Sequence, residues 1–220
     1  MARNSLAAKI NENTFDNWTY KNSWILGLMT SDGTFGKRSH PTQFGIYSTD
    51  LELLEAVKSV FESDKKIFVN EGVKGRKGKK PVGLLALSHP RIANFLKEIK
   101  AWGNKEQRNP FPNIPDEYKW SFVKGLFDGD GNFYRGMISI AGRRHLIEQV
   151  YEWICKQINK KPNKLYKSSS TNVTVYFQLC KGDSEKVYRL MEKYSLGTYN
   201  STKYKKMQAY FEIGDGLDIL

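Results

Sequence analysis

The order of apolar and polar positions in the first half of the chain recurs in the second half. Three pairs of segments match in the same order: 24–35 (WILGLMTSDGTF) with 122–133 (FVKGLFDGDGNF), 53–57 (LLEAV) with 146–150 (LIEQV), and 85–87 (LAL) with 177–179 (FQL). The separation between matched segments changes by only a few residues. We therefore predict two copies of one structural unit within a single chain.

Each copy has the pattern of a mixed helix and strand unit. An apolar helix ends at Asp-Gly, and residues that alternate in polarity follow it at 43–47 and at 137–140, as in half-buried strands. Apolar residues then recur at helical spacing over 50–62 and 142–158. Two further strands and a closing helix are predicted at 66–71, 82–88 and 90–101 in the first copy, and at 163–168, 172–180 and 183–194 in the second. The predicted fold class is α+β, with two pseudo-symmetric αββαββα repeats.

A proline-rich segment divides the two copies. Residues 104–115 contain three prolines within the last six positions, and proline fixes φ and lacks an amide donor, so an extended linker is expected. The predicted domains are 1–103, the linker 104–115, and 116–220. Asp116 is the expected N-cap of the second repeat's first helix. For the polar segment after about residue 195, rich in Tyr and Lys, the sequence pattern predicts no particular secondary structure.

Charge adds the first indication of a partner. The chain of 220 residues has 35 Lys and Arg against 23 Asp and Glu, a formal net charge of +12, with 40% hydrophobic and 13% aromatic residues. The hydrophobic content is sufficient for folded cores, and the excess of positive charge indicates a polyanion, most often nucleic acid. Composition alone does not distinguish a ribosomal protein from a nuclease.

Other protein classes are not expected from the sequence. No apolar run approaches the roughly 18 residues of a membrane span, and the N-terminus lacks the apolar core of a signal peptide. Two cysteines without CxxC spacing argue against a disulfide scaffold or a zinc finger. We expect an intracellular protein without a membrane partner, located in the cytoplasm or nucleoid of a bacterium or phage-infected cell, or in an organelle.

Both repeats place an aspartate at the end of an apolar helix, just before a glycine. A carboxylate there faces the negative end of the helix dipole, which costs roughly 0.3–1 kcal/mol, so its occurrence at Asp32 and at Asp130 indicates a compensating role. Divalent cations bind carboxylate and carbonyl oxygens, and a helix C-terminus offers unpaired carbonyls beside such a side chain. Two such ends brought together would make a metal site.

Small residues four positions apart indicate how the two helices meet. Gly27 and Ser31 in the first copy, and Gly125 and Gly129 in the second, allow two helix backbones to approach closely. Ordinary helix packing also explains these small residues, but it does not explain the paired aspartates.

These residues resemble a known family. Segments 25–33 (ILGLMTSDG) and 123–131 (VKGLFDGDG) are similar to the LAGLIDADG motif of one class of homing endonucleases, with Thr30 in place of the motif's first Asp. The resemblance implies a single-chain monomer in which the two motif helices pack at the centre. It also implies that Asp32 and Asp130, aided by the carbonyls of Ser31 and Gly129, hold two or three Mg²⁺ ions, which Mn²⁺ or Ca²⁺ can replace for binding.

The implied activity is that of a site-specific double-strand DNA endonuclease, a phosphodiester hydrolase that leaves 3′ overhangs on a long asymmetric target. Members of this family usually have a basic or water-ordering residue near each site. At the matching strand ends this sequence has Ser48, Thr49, Arg143 and Lys181, of which Arg143 and Lys181 are the basic candidates.

Period-two alternation predicts which strand residues face DNA. If Phe44 and Ile46 pack beneath the helices, Gln43 and Tyr47 point to the other side of the sheet. The polar and aromatic positions predicted to read base edges are Gln43, Tyr47, Thr174, Tyr176 and Gln178. The two sheets are expected to form a saddle over the major groove.

Basic residues in loops are the expected phosphate contacts. The main candidates are the hairpin residues Lys74, Arg76, Lys77, Lys79 and Lys80. Weaker candidates of the same kind are Lys37 with Arg38, Arg143 with Arg144, and Lys203 with Lys205 and Lys206. The alternative for the hairpin is a solvated turn that binds nothing. The alternative for the whole chain is an intron RNA maturase, with intron RNA as its partner, or a non-cleaving DNA-binding protein with the same fold.

Overall fold

The computed structural model describes residues 8–37, 39–70, 81–99, 101, 111–167 and 174–213. The first repeat contains, in chain order, α1 (Tyr20–Asp32), β1 (Gly33–Phe35), β2 (Gln43–Ser48), α2 (Leu51–Val60), β3 (Phe68–Asn70), β4 (Val82–Ser88) and α3 (Pro90–Glu98). The second contains α4 (Lys119–Asp130), β5 (Gly131–Tyr134), β6 (Met137–Arg143), α5 (Arg144–Gln157), β7 (Tyr166–Lys167), β8 (Thr174–Gln178) and α6 (Lys181–Lys193), and α7 (Thr202–Ile213) follows it. The predicted α+β class and the two αββαββα repeats are confirmed.

The two sheets have the same topology and the same register. The strand orders are β1-β2-β4-β3 and β5-β6-β8-β7, and every pairing is antiparallel. Gly33 pairs with Ile46 in the first sheet, and Gly131 pairs with Ile140 in the second. Each motif aspartate therefore comes immediately before a strand that occupies the same position in its sheet.

Local sequence explains where the motif helices begin. Thr19 and Asn22 form a capping box at the start of α1. The prediction that Asp116 caps the second motif helix is wrong, because Asp116 begins a 3-10 turn (Asp116–Tyr118) and α4 starts three residues later. The Asp116 carboxylate instead accepts a hydrogen bond from Lys119 Nζ at 2.5 Å.

The two motif helices pack against each other through their backbones. A Cβ atom at Gly27 would collide with the carbonyl oxygen of Phe122, and one at Gly125 would collide with that of Trp24. Only glycine allows such an approach. Both helices are buried along most of their length, which explains why they are apolar on all sides.

The inner faces of the sheets form the core beneath the helices. Phe44 and Ile46 of β2 are buried, and so are Val175 and Phe177 of β8. The alternate residues therefore face outward, as the period-two pattern predicts, and Tyr47 is 54% exposed.

Helix α7 belongs to the segment that the sequence left unassigned. Its side chains Tyr204 and Met207 are fully buried, and Phe211 packs beside Tyr188 with ring centroids 5.4 Å apart. These three residues have helical spacing, so the apolar periodicity was present in the sequence. Of the helices that the structure describes, none is long and apolar enough to cross a membrane.

Candidate metal centre at the ends of the motif helices

The two motif aspartates end helices that meet at one cavity. A Cβ atom at Gly129 would lie 3.2 Å from Asp32 Oδ2, so the Asp32 carboxylate lies against the end of α4. The cavity, of about 340 Å³, is lined by both repeats. Its lining residues are Asp32, Tyr47, Ser48, Thr49, Asp50 and Leu53 from the first repeat, and Asp128, Gly129, Ser201, Thr202 and Lys203 from the second repeat and α7.

Lys203 is the cation at this centre. Its Nζ donates hydrogen bonds to the carbonyl oxygens of Gly129 and, at 3.0 Å, Gly131, on either side of Asp130. Burial lowers the pKa of Lys203, and the negative charges of Asp32, Asp128 and Asp130 oppose that shift. The sequence indicates Lys203 only as a weak phosphate contact, whereas the structure brings it to the two motif aspartates.

Asp128, two residues before Asp130, also lines the cavity and is buried. Its Oδ2 accepts a hydrogen bond from Trp24 Nε1 at 2.7 Å, and its Oδ1 accepts one from Ser201 Oγ at 2.5 Å. Burial raises the pKa of Asp128, against the opposing charge of Lys124, whose Nζ lies 3.9 Å from Oδ2. Asp128 thus connects α4 to α1 and to the residue that precedes α7.

Lys124 completes this buried network. Its Nζ donates to Thr198 Oγ1 at 2.9 Å and to the carbonyl oxygen of Tyr199, and it lies 4.4 Å from the centre of the Tyr204 ring. Burial lowers the pKa of Lys124, and the charge of Asp128 opposes the shift. A Lys and an Asp four residues apart in an otherwise apolar helix were the signal in the sequence for this pair.

The start of α7 also contacts the first repeat. Tyr199 Oη donates to Asp50 Oδ1 at 3.2 Å and to Glu52 Oε2 at 3.0 Å, and the amide of Thr202 donates to Asp50 Oδ2 at 3.2 Å. Asp50 is the N-cap of α2. Lys203 is therefore held between contacts to both repeats.

The donors at the centre fit a hard divalent cation. They are carboxylate and carbonyl oxygens, and no cluster of three or more His, Cys, Asp or Glu residues occurs within the described part of the chain. Mg²⁺ commonly binds through one or two protein carboxylates and takes its other ligands from water and substrate phosphates. Asp32 and Asp130 supply that number of carboxylates. The Gly129 carbonyl, predicted as a ligand, accepts a hydrogen bond from Lys203 in this structure.

The predicted basic candidates lie at different ends of the second sheet. Arg143 stands three residues after Ile140, as Thr49 stands three residues after Ile46, so by register Arg143 is the counterpart of a residue that lines the cavity. Lys181 is not brought to the aspartates. Arg143 pairs with Thr174, the first residue of β8. Lys181 follows the other end of β8, so it lies more than roughly 13 Å from Thr174 along the strand. There its Nζ lies 5.3 Å from the centre of the Tyr210 ring.

The predicted DNA-facing residues divide into three groups. Gln43, Tyr47, Thr174, Tyr176 and Gln178 alternate with buried neighbours on β2 and β8 and face outward. Lys37 and Arg144 are exposed, and Arg144 pairs with Glu148 at 2.9 Å. The remaining predicted contacts, Arg38, Lys74, Arg76, Lys77, Lys79 and Lys80, lie outside the described residues.

Comparisons with known proteins agree with this architecture. Residues 19–100 match the family model described as a LAGLIDADG-like domain. The fold is similar to that of the meganuclease I-SmaMI bound to uncleavable DNA, with a TM-score of 0.55 and 16% identity over 85% of this chain and 88% of that chain. A sequence comparison with curated proteins finds no match.

Two further structures have the same fold. I-DmoI in complex with DNA and Ca gives a TM-score of 0.52 and 15% identity over 85% of this chain and 94% of that chain. The LAGLIDADG meganuclease I-CpaMI bound to uncleaved DNA gives a TM-score of 0.54 and 13% identity, over 90% of this chain and 92% of that chain. The resemblance drawn from the sequence is thus confirmed: residues 19–100 match the model of a LAGLIDADG-like domain, and the chain has the two-repeat fold seen in the LAGLIDADG homing endonucleases.

Proposed function

We propose that the protein is a site-specific double-strand DNA endonuclease that requires a divalent cation. One observation carries the proposal: Asp32 and Gly129, which precedes Asp130 at the end of α4, line one cavity, and the charges of both aspartates act on Lys203 in that cavity. The DNA-bound relatives I-SmaMI, I-DmoI and I-CpaMI support DNA as the substrate. Since one chain supplies both aspartates, we propose that it acts as a monomer.

Asp32 and Asp130 are the proposed cation ligands, and Mg²⁺ is the proposed ion. The Ca in the I-DmoI complex supports divalent cation use in this fold. When bound, such ions lower the pKa of a coordinated water and neutralise charge on the phosphate that is attacked. Asp32 and Asp130 occupy equivalent positions in the two repeats. We therefore assign each of them to the cleavage of one DNA strand, with 3′ overhangs as the expected product.

Lys203 is proposed to act on the DNA phosphate. Its ammonium group already donates to two backbone carbonyls beside Asp130, so its position is set before DNA binds. A cation held in this way can donate a hydrogen bond to a phosphate oxygen as negative charge develops there. Because burial lowers the pKa of Lys203, it can also give up a proton more readily than an exposed lysine.

Site selection followed by cleavage tests the proposal. Duplexes with a randomised centre would be selected for binding in Ca²⁺, cloned into a plasmid, and incubated with the protein in Mg²⁺. We expect linear plasmid from the wild-type protein. The double variant Asp32→Asn, Asp130→Asn is expected to bind the same site without cleaving it, because the sheet faces are unchanged.

Asp116→Asn is the matched control, since this aspartate is exposed and its carboxylate pairs with Lys119, three residues away. It should cleave at the wild-type rate. Cleavage by the double variant would contradict the proposal. Tighter binding to an intron RNA than to any duplex, without cleavage, would favour the maturase alternative instead.

A further inference from the structure

The outward face of the first sheet carries one row of large apolar side chains. Tyr47 of β2 pairs with Leu84 of β4, and Leu84 pairs with Phe68 of β3. Residues directly opposite each other in an antiparallel sheet point to the same face, and the neighbouring residue Leu85 is buried in the core. Tyr47 and Phe68 are 54% and 68% exposed, so this row faces solvent.

The second sheet carries an equivalent row. Ala141 of β6 pairs with Tyr176 of β8, and Tyr176 pairs with Tyr166 of β7. The rings of Tyr166 and Tyr176 are stacked, with centroids 5.2 Å apart, and Tyr166 is 53% exposed.

Both rows have the same position relative to the metal centre. Tyr47 follows Ile46, which pairs with the glycine after Asp32, and Ala141 follows Ile140, which pairs with the glycine after Asp130. The two rows are therefore related by the same repeat symmetry that relates the two aspartates. A duplex bound across both sheets would meet the two rows at equal distances from its centre.

Polar and basic residues flank the row in the second sheet. Gln178 lies on one side of Tyr176, and Thr174, paired with Arg143, lies on the other. A chain with a net charge of +12 favours a polyanion on this face over a second copy of itself. The ligand of this face is thus the DNA duplex of the proposed function, on which this inference rests.

Apolar side chains recognise one feature of the major groove. Among the base edges exposed there, the 5-methyl group of thymine is the apolar one, and 5-methylcytosine presents the same group. We propose that the two rows, Tyr47–Leu84–Phe68 and Ala141–Tyr176–Tyr166, each contact a 5-methylpyrimidine, so that the target has a thymine at a matched position in each half-site.

Methyl deletion in the DNA tests this inference. In sites selected from randomised duplexes, we expect thymine to be enriched at two positions equidistant from the cleavage centre. Replacing either thymine with deoxyuridine removes only the methyl group, and binding in Ca²⁺ should weaken about fourfold per methyl. Replacing either thymine with 5-methylcytosine, paired with guanine, should be tolerated better than replacement with cytosine.

Protein variants assign each row to one half-site. Phe68→Ser should remove the sensitivity to deoxyuridine in one half-site only, and Tyr166→Ser should remove it in the other. Leu196→Ser is the matched control, because Leu196 is 66% exposed but lies outside both sheets. Phe68→Ser and Leu196→Ser should keep the wild-type thermal unfolding temperature, since the replaced side chains face solvent. Tyr166→Ser should lower that temperature slightly, because it removes the stacking on Tyr176.

The outcomes separate this inference from the proposed function. Selected sites without paired thymines, or equal affinity for thymine and deoxyuridine sites, would overturn the inference while leaving a DNA endonuclease in place. A concentration-dependent dimer that Phe68→Ser or Tyr166→Ser abolishes would also overturn it, because a second copy would then cover the rows. Failure to select any duplex would overturn the proposed function itself.

Discussion

The two motif helices share their ends but differ in their interiors. Both end at an aspartate and meet through glycines, yet positions 26 and 30 of α1 are Leu and Thr, whereas the matching positions 124 and 128 of α4 are Lys and Asp. Thr30 Oγ1 donates within its own helix, to the carbonyl oxygen of Leu26 at 2.7 Å. Asp128 is instead bonded to Trp24 of α1 and to Ser201 before α7.

Some features of the motif helices are common to both repeats, and others occur only in the second motif helix, α4. The shared aspartates and glycines build the candidate metal centre. The buried Lys124 and Asp128 fix the segment that carries Lys203 against α4. One half of a duplicated fold has thus acquired an interaction that the described part of the other half does not show.

The largest loss of stability is expected at the glycines that both motif helices have where they meet. Gly125→Val places branched carbons where even a Cβ collides with the Trp24 backbone, so we expect loss of the folded protein, and the same for Gly27→Val. Circular dichroism and thermal unfolding would measure this. Gly182→Val is the control, since a Cβ there meets nothing within 4 Å. Equal stability of Gly125→Val and Gly182→Val would contradict the close packing of the helices.

The next largest effect on stability is expected at positions where the two helices differ. Lys124→Met leaves the Asp128 carboxylate buried without its cation, and we expect a loss of about 3–5 kcal/mol in the free energy of unfolding. The matching substitution Leu26→Met should cost less than about 1.5 kcal/mol. Urea unfolding would measure both.

Replacing Lys124 and Asp128 with the type of residue that α1 has at the matching positions tests whether their two charges are coupled. The double variant Lys124→Leu, Asp128→Thr removes both charges together, so it should be less destabilised than the sum of the two single variants. Additive single effects would show that the two charges are not coupled.

A smaller effect concerns the rate of cleavage. Lys203→Gln removes the cation beside Asp130, and we expect single-turnover cleavage of the selected site to slow by about 100-fold with little change in DNA affinity. Lys156→Gln, at an exposed lysine of α5 that is not among the predicted phosphate contacts, is the control and should keep the wild-type rate. A Lys203→Gln variant as fast as the control would exclude the proposed role.

The smallest effect compares two ion pairs at equivalent closing helices. Lys160 donates to Asp183 at 2.5 Å with both side chains mostly buried, and this hydrogen bond holds the pKa of Asp183 below its ordinary value of 3.8. The pair between Arg91 and Asp16 is more exposed. Asp183→Asn should cost about 1 kcal/mol at neutral pH and Asp16→Asn less than that.

The pH dependence follows from the direction of that shift. A carboxyl group with a lowered folded pKa stabilises the protein above its unfolded pKa, and the contribution disappears as the pH falls from 3.8 through the folded value. The difference in unfolding free energy between wild type and Asp183→Asn should therefore shrink over that acidic range. A difference that is constant with pH would contradict the ion pair.

The sequence predicted what depends on local pattern. The repeat, the outward-facing residues of β2 and β8, and strand β4 at 82–88 all follow from periodicity, and the structure agrees with each. The close approach of the two motif helices follows from the spacing of their small residues. No long-range contact had to be known for these inferences.

The remaining features depend on contacts between distant parts of the chain. The segment that carries Lys203 is held at the centre by Ser201, which bonds to Asp128, and by Thr202, which bonds to Asp50, residues 73 and 152 positions away. Lys181 stands at a strand end, as predicted, but the antiparallel register places that end away from the aspartates. Sequence pattern shows that a strand ends, whereas sheet pairing decides where its end lies.

Measuring the cleavage of each DNA strand by the two single aspartate variants tests whether the two motif helices build one centre jointly. A selected duplex labelled on each strand would be incubated in Mg²⁺ with wild-type protein, Asp32→Asn or Asp130→Asn, and the rate of each strand's cleavage measured in a single turnover. We predict that either substitution slows double-strand cleavage by at least about 100-fold while the Kd in Ca²⁺ changes less than about threefold. A variant of either aspartate that cleaves both strands at the wild-type rate would contradict a centre built jointly by the two motif helices.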